Sequence, residues 1–244
     1  MRIIPVIDLL EGRVVHGVRG KREKYRPVES LLVPGSDPVE VAGALIKETG
    51  CSEIYIADLD AILGKGDNSK IITGIFEKYG VSLWVDAAAF DAPSVVSMKR
   101  SGAKAVILGT ETFSDLNEFC RITERFPIEE LIISIDISGG KVISRADRLK
   151  GVDPIDAMDI LSETGVRQFI LLTLDMVGSG EGPDIELIKR TRKKYPEYIL
   201  IAGGGVRLPI HLEQLNTAGA DGVLVATSLH YGWITGEDIN KFGQ

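Results

Sequence analysis

Aspartates recur in this sequence where short apolar runs come to an end. Asp8, Asp58 with Asp60, Asp86, Asp136 and Asp175 each close or follow such a run. Carboxylates that converge on one mouth repel each other, so some must be paired, protonated or engaged with a ligand. Each could instead cap a helix, form a turn or pair with an Arg or Lys. Asp58 and Asp60, two positions apart, share one face of an extended strand and need a partner or a loop to separate their charges. Asp8 and Asp136 are the better candidates for chemistry, because two carboxylates in different environments can divide the roles of general base and general acid. Asp175 is a third candidate for that exchange.

A phosphate signal accompanies the acids. In Ala202-Gly203-Gly204-Gly205-Val206-Arg207, glycines let successive backbone N–H groups point into one concavity, and the next helix adds its positive end. Val225-Ala226-Thr227-Ser228 ends the next apolar run. The phosphate-binding set is therefore Gly203, Gly204, Gly205, Ala226 and Thr227. The corresponding place in the first half reads Asp86-Ala87-Ala88-Ala89, followed by Gly109-Thr110-Glu111. Alanine resists positive φ and the acids repel an anion, so this second nest is expected to be altered or lost, leaving one phosphate. Asp86, Gly109 and Thr110 remain weaker candidates for touching the rest of the substrate. So does Arg19, which opens a segment with five basic residues in eight, residues 19–26, readable as a lid or as a solvated loop.

Other chemistry finds little support. His16, His211 and His230 are too scattered for a metal site, Cys51 and Cys120 have no nearby base, and no dinucleotide or P-loop fingerprint is present. No metal and no cofactor are expected. The net charge of −7 argues against nucleic acid as a partner, and no apolar run approaches a membrane span. The start of the chain lacks a signal-peptide pattern and the two cysteines suit reduced thiols, so a cytoplasmic protein is expected. The partner expected is a small phosphorylated metabolite; the oligomeric state is left open.

The elements that must position these residues alternate along all 244 residues. Strand-like runs occupy residues 3–8, 53–58, 81–86, 104–109, 131–136, 168–174, 198–203 and 222–226. Between them lie helical patterns, with caps at Asp37-Pro38, Asp91, Ser114-Asp115 and Asp153-Pro154. Near-continuous apolar strands alternating with helices imply a covered parallel sheet. Eight such units fit a closed (β/α)8 barrel in one domain, residues 1–244, better than an open doubly wound sheet. Two echoes within the chain, around Asp8 and Asp136 and around residues 102–110 and 219–227, suggest two repeated half-barrels. In such a barrel the aspartates and the glycine-rich turn all fall at the C-terminal strand ends.

Taken together these residues resemble the histidine-biosynthesis barrels, above all ProFAR isomerase, the aldose–ketose isomerase of that pathway, and more distantly its cyclase relative. The resemblance covers nearly the whole chain. It rests on Ile4-Pro5-Val6-Ile7-Asp8 with Gly12-Arg13-Val14-Val15, on Ala57-Asp58-Leu59-Asp60 with Gly64 and Asn68, on Ile135-Asp136 with Gly139-Gly140, and on Gly203-Gly204-Gly205-Val206. It implies that Asp8 is the general base of an Amadori-type rearrangement, that Asp136 lines the same site, and that the C-terminal phosphate site is the one named above. Three places depart from the family pattern. Asp175-Met176-Val177-Gly178 replaces the Arg-Asp-Gly-Thr segment with the isomerase's second acid, Asp86-Ala87-Ala88-Ala89 replaces the first phosphate glycines, and His16 stands where isomerases usually have arginine. The chain thus looks like a divergent member. The function expected is isomerisation of a phosphorylated sugar-like metabolite. The alternatives are a lyase or synthase step on a monophosphate in cofactor biosynthesis, and a non-catalytic barrel that binds a phosphorylated ligand.

Overall fold

A computed structural model describes residues 1–242. Eight parallel strands close into a barrel: β1 (Arg2–Leu10), β2 (Glu53–Asp58), β3 (Ser82–Asp86), β4 (Ala103–Gly109), β5 (Leu131–Ser138), β6 (Gln168–Thr173), β7 (Ile199–Gly203) and β8 (Gly222–Val225). Each pairs with the next, and β8 returns to β1 through Arg2↔Gly222 to Pro5↔Val225, which rules out the open sheet. Besides short turns of helix at Leu59–Ile62 and Thr227–His230, the helices that follow the strands are α1 (Pro38–Thr49), α2 (Ser69–Tyr79), α3 (Ala92–Arg100), α4 (Leu116–Arg125), α5 (Pro154–Ser162), α6 (Ile185–Lys194), α7 (Pro209–Ala218) and α8 (Gly236–Asn240). Asp37, Asp91, Asp115 and Asp153 cap α1, α3, α4 and α5 through their side chains, as the sequence pattern predicts. No helix among the described residues is long and apolar enough to cross a membrane.

Alternation along the strands builds two apolar layers. Ile4, Tyr55, Trp84, Ile107, Ile132, Ile170, Ile201 and Leu224 form one buried cluster, filling the barrel interior. Their neighbours, among them Ile7, Ile54, Leu83, Val106, Ile133 and Phe169, pack against the helices in the other. Strands buried on both faces explain why these runs read as nearly unbroken apolar sequence. The register levels the acids at one rim, with Asp8 opposite Ala57 and Ala57 opposite Asp86.

Two strands run past their aspartates into antiparallel hairpins. β1 continues into residues Arg13–His16 and β5 into Lys141–Val142, so Asp8 and Asp136 sit where the barrel wall becomes a projecting ribbon. Asp58 and Asp60 have a structural role. Asp58 accepts from the backbone N–H groups of Ala61 and Asn68, at 3.2 and 2.6 Å, and from Asn68 Nδ2 at 2.7 Å. Asp60 accepts from Asn68 Nδ2 at 2.8 Å and from Glu11 N–H at 2.7 Å. One amide thus separates the two charges and ties the β2 loop to the first hairpin. Removing it leaves two buried carboxylates short of a donor. Asn68→Ala is expected to cost about 2–3 kcal/mol in chemical denaturation, and a loss below ~0.5 kcal/mol would show that the amide does not hold this corner.

Candidate functional site

A cavity of about 230 Å³ opens at the C-terminal mouth of the barrel. Of the residues singled out from sequence, Asp8, Asp86, Asp136, Gly204, Gly205, Ala226 and Thr227 line it. Gly203, Gly109 and Thr110 lie at strand ends behind this lining. Two sequence candidates are placed elsewhere. Arg19 turns away with a positive φ of 49° and pairs with Glu181, while its backbone N–H donates to Val177 O at 2.8 Å. Asp175 accepts from Ser138 Oγ at 2.8 Å and from Gly139 N–H at 2.6 Å, so it fastens the β5 hairpin to the β6 loop. Both serve loop-to-loop contacts because each finds its complement on the neighbouring loop before it reaches the mouth.

The basic segment is a cover bound to its neighbour. Gly17 and Gly178 bring the loops after β1 and β6 together so closely that a side chain at Gly178, where φ is 66°, would run into Gly17 O. Arg22 reaches under this cover into the cavity and pairs with Glu111. Arg22, Tyr25, Tyr55, Glu111 and Trp233 complete the polar and aromatic part of the wall. Sequence reasoning did not pick out Tyr55 or Tyr25. A tyrosine inside an otherwise aliphatic strand was the available signal for Tyr55, and nothing distinguishes Arg22 from the other four basic residues of its run.

Burial dominates the electrostatics. The Asp8 carboxyl has no hydrogen-bond partner among the described residues, and desolvation pushes it from 3.8 up to about 7, with the Arg22 charge pulling the other way. Asp86 is also raised to about 7, by burial and by the Glu111 charge. The Tyr55 hydroxyl, donating at 3.0 Å, and the Ala88 backbone N–H oppose that rise. Asp136 is held well above the usual carboxylate range by burial, then by Glu111 and Asp86. It accepts from Glu111 N–H at 3.1 Å, Thr110 Oγ1 at 3.3 Å and Ser134 Oγ at 3.2 Å. Tyr55 is raised well above 10, so it remains a donor. His230 is lowered to about 4 by burial and bonds Ser30.

The two halves of the mouth differ in what their backbone donors serve. At the β7 end, Gly204 and Gly205 have φ of 97° and 81°. A Cβ at Gly204 would stand 2.5 Å from Thr173 O, and one at Gly205 would collide with Gly182 O. A short helix, Thr227–His230, starts at this rim without a side-chain cap, and the Ser228 hydroxyl bonds Val206 O to join the two turns. This is the glycine-turn and short-helix arrangement in which barrels of this kind hold phosphate. At the β3 end the expectation from sequence needs correction. Ala88 does take a left-handed conformation, φ 57°, despite a cost of roughly 1–2 kcal/mol for a residue with a Cβ. The turn is therefore left-handed without a glycine, and its N–H supports the Asp86 carboxyl. Asp136 likewise takes the Glu111 N–H at the end of β4. The protein's own carboxyls occupy donors that an external anion would need.

The fold and the cavity define a (β/α)8 barrel that carries its polar site on the C-terminal strand ends. A family model described as histidine biosynthesis protein matches residues 2–235, and the chain belongs to that family. An uncharacterized protein of Methanocaldococcus jannaschii is 35% identical over 245 residues, covering all of both chains. A protein of Cenarchaeum symbiosum, named 1-(5-phosphoribosyl)-5-((5-phosphoribosylamino)methylideneamino)imidazole-4-carboxamide isomerase, is 32% identical over 237 residues, 96% of this chain and 97% of that one. The imidazole glycerol phosphate synthase subunit HisF of Kocuria rhizophila is 32% identical over 241 residues, 95% of this chain and 91% of that one.

The raised carboxyls predict a pH dependence of stability. An unfolded Asp titrates near 3.8, whereas Asp86 in the fold titrates near 7, so between these values the folded chain holds a proton that the unfolded chain has lost. Stability from this group therefore falls as pH rises from about 4 to about 7 and levels off above. Asp86→Asn, which cannot ionise, should gain stability relative to the parent between pH 5 and pH 8 in urea titrations. A difference that stays constant with pH would contradict the buried, protonated Asp86.

Proposed function

We propose that this barrel is an aldose–ketose isomerase of the Amadori type, acting on a small phosphorylated, sugar-like metabolite. The observation that carries this reading is Asp8, a carboxyl that faces the cavity without a hydrogen-bond partner and that burial pushes up to about 7. A base poised there removes a proton at pH 7 and returns it without a large penalty in either direction. The phosphate rests against the backbone of Gly204, Gly205, Ala226 and Thr227, which fixes the substrate relative to Asp8. Asp136, held protonated, gives its proton to the ring oxygen as the sugar opens. Asp8 then takes the proton from the carbon next to the resulting imine, and the enaminol so formed becomes the aminoketone as the former imine carbon gains a proton and the enol hydroxyl loses its own. Apart from the ring C–O bond, which breaks as the nitrogen lone pair forms the imine, all of these steps are proton transfers within one substrate. The isomerase relatives named above support the reaction class, and Asp136 takes the second-acid role because Asp175 is bound to Ser138 and Gly139.

That engagement of Asp175 also favours a second reading, a lyase or synthase step on a monophosphate at the same site, in which Asp8 is the only acid–base group that must cycle. Incubation with aldose and 1-aminoaldose monophosphates, and with ProFAR itself, in D₂O distinguishes the two. Isomerisation introduces deuterium at the carbon next to the carbonyl. Asp8→Asn should lower that exchange by about 10²–10⁴-fold and leave binding of the phosphomonoester within about threefold of the parent. The rate should rise with pH on a limb centred near 7. Phosphomonoester binding without deuterium exchange on any of these compounds would exclude the isomerase and leave the second reading.

A further inference from the structure

We infer that the Tyr25 hydroxyl is a further catalytic group, a hydrogen-bond donor to the substrate oxygen on the carbon from which Asp8 takes its proton. The inference deepens the isomerase reading above and rests on it.

The placement follows from the cover. Tyr25 belongs to the basic segment after β1, and the chain leading into that segment passes Asp8 at Gly17. A Cβ at Gly17 would stand 3.2 Å from Asp8 Oδ2 and 3.6 Å from Tyr25 Oη, so a single carbon position touches both oxygens. Asp8, Gly17 and Tyr25 all line the cavity. The phenol and the carboxyl are neighbours that are not bonded to each other among the described residues. Burial and the Asp8 charge hold the phenol above its ordinary value, so Tyr25 is neutral and a donor near pH 7. The Val18 backbone N–H is directed at the Tyr25 oxygen, and the phenolic proton finds no acceptor among the described residues. Apart from the acids, the other side-chain donors of the cavity wall are committed or distant. Arg22 pairs with Glu111, and Tyr55 donates to Asp86 at 3.0 Å. Thr227 starts the short helix at the phosphate end, and Trp233 is tied to that helix through its N–H on Ser228 O.

The chemistry calls for a donor beside Asp8. As Asp8 removes the proton next to the imine, the electron pair moves toward the nitrogen, and in the following step the hydroxyl on the deprotonated carbon becomes a carbonyl. A donor fixed on that oxygen turns the C–H bond toward Asp8 and stabilises the negative charge that gathers on the oxygen as its proton leaves. Tyr25 keeps its own proton throughout, so the bonds made and broken are those of the isomerisation itself.

The probes are 4-phosphoerythronohydroxamate and erythritol 4-phosphate. The hydroxamate's carbonyl oxygen takes the place of the oxygen on the deprotonated carbon; erythritol 4-phosphate shares the phosphate and the chain but lacks that group. Calorimetry on the parent and on Tyr25→Phe measures both affinities. The parent is expected to bind the hydroxamate about 10- to 100-fold more tightly than erythritol 4-phosphate. Tyr25→Phe should lose about tenfold of that preference and bind erythritol 4-phosphate within about twofold of the parent. With a substrate that the parent isomerises, Tyr25→Phe should lower kcat by about 10–10³-fold and leave KM within about threefold. The pH limb near 7, which belongs to Asp8, should stay in place. A Tyr25→Phe variant that keeps the hydroxamate preference or the parental kcat overturns the inference and leaves the isomerase reading standing. Equal loss of both probes also overturns it, the phenol then serving only the cover. A parent that does not prefer the hydroxamate, or that binds neither probe, overturns the isomerase reading and the inference together.

Discussion

Charge repulsion among buried carboxyls is the constraint around which the mouth of this barrel is arranged. The register of a closed parallel barrel brings Asp8, Asp86, Asp136 and Glu111 to one rim, and a single guanidinium, Arg22, reaches them. Full ionisation of all four would require several charges to share a water-poor space. The chain meets this by keeping carboxyls protonated near neutral pH and by directing backbone N–H groups at Asp86 and Asp136. Groups held in that condition are suited to giving and taking protons near neutral pH, which is what the proposed reaction asks of them.

The same constraint explains the inequality of the two ends. Each end has a left-handed turn, at Ala88 after β3 and at Gly204 and Gly205 after β7. In the first the Ala88 N–H serves the internal carboxyl of Asp86; in the second, Gly204 and Gly205 line the cavity. The interlocked loops after β1 and β6, joined through Gly17 and Gly178 and through Arg19 and Glu181, place a cover over both. A cover built from a basic segment draws Arg22 to the acids and brings Tyr25 against the Asp8 end of the cavity. The hairpins that follow β1 and β5 are placed alike.

Much of this was legible in the sequence, for physical reasons that differ by residue. Strands covered on both sides must be apolar almost throughout, so eight barrel strands stood out within a residue or two, and the capping aspartates marked helix starts because an N-cap needs a short acceptor. Asp8 and Asp136 stood out because each interrupts such an apolar run near its C-terminal end. The roles of Asp58 and Asp60 were hidden, because the amide that joins them comes from Asn68, beyond an intervening loop. Arg19 and Arg22 were indistinguishable, since only the fold decides which basic side chain turns inward. The left-handed Ala88 ran against its own propensity; a buried carboxylate that uses its N–H holds it there, and no local pattern announces such a debt. Asp175 follows its strand by two residues, and the β5 hairpin takes both of its oxygens.

The central claim, one open anion position facing a set of protonated acids, is tested most directly by locating an anion in crystals grown at neutral pH with inorganic phosphate. The account predicts density over Gly204–Gly205 and the start of the helix at Thr227, with Asp86 still bonded to Tyr55 and none over Ala87–Ala89. An anion bound above Ala88 with the Asp86 side chain displaced would contradict it.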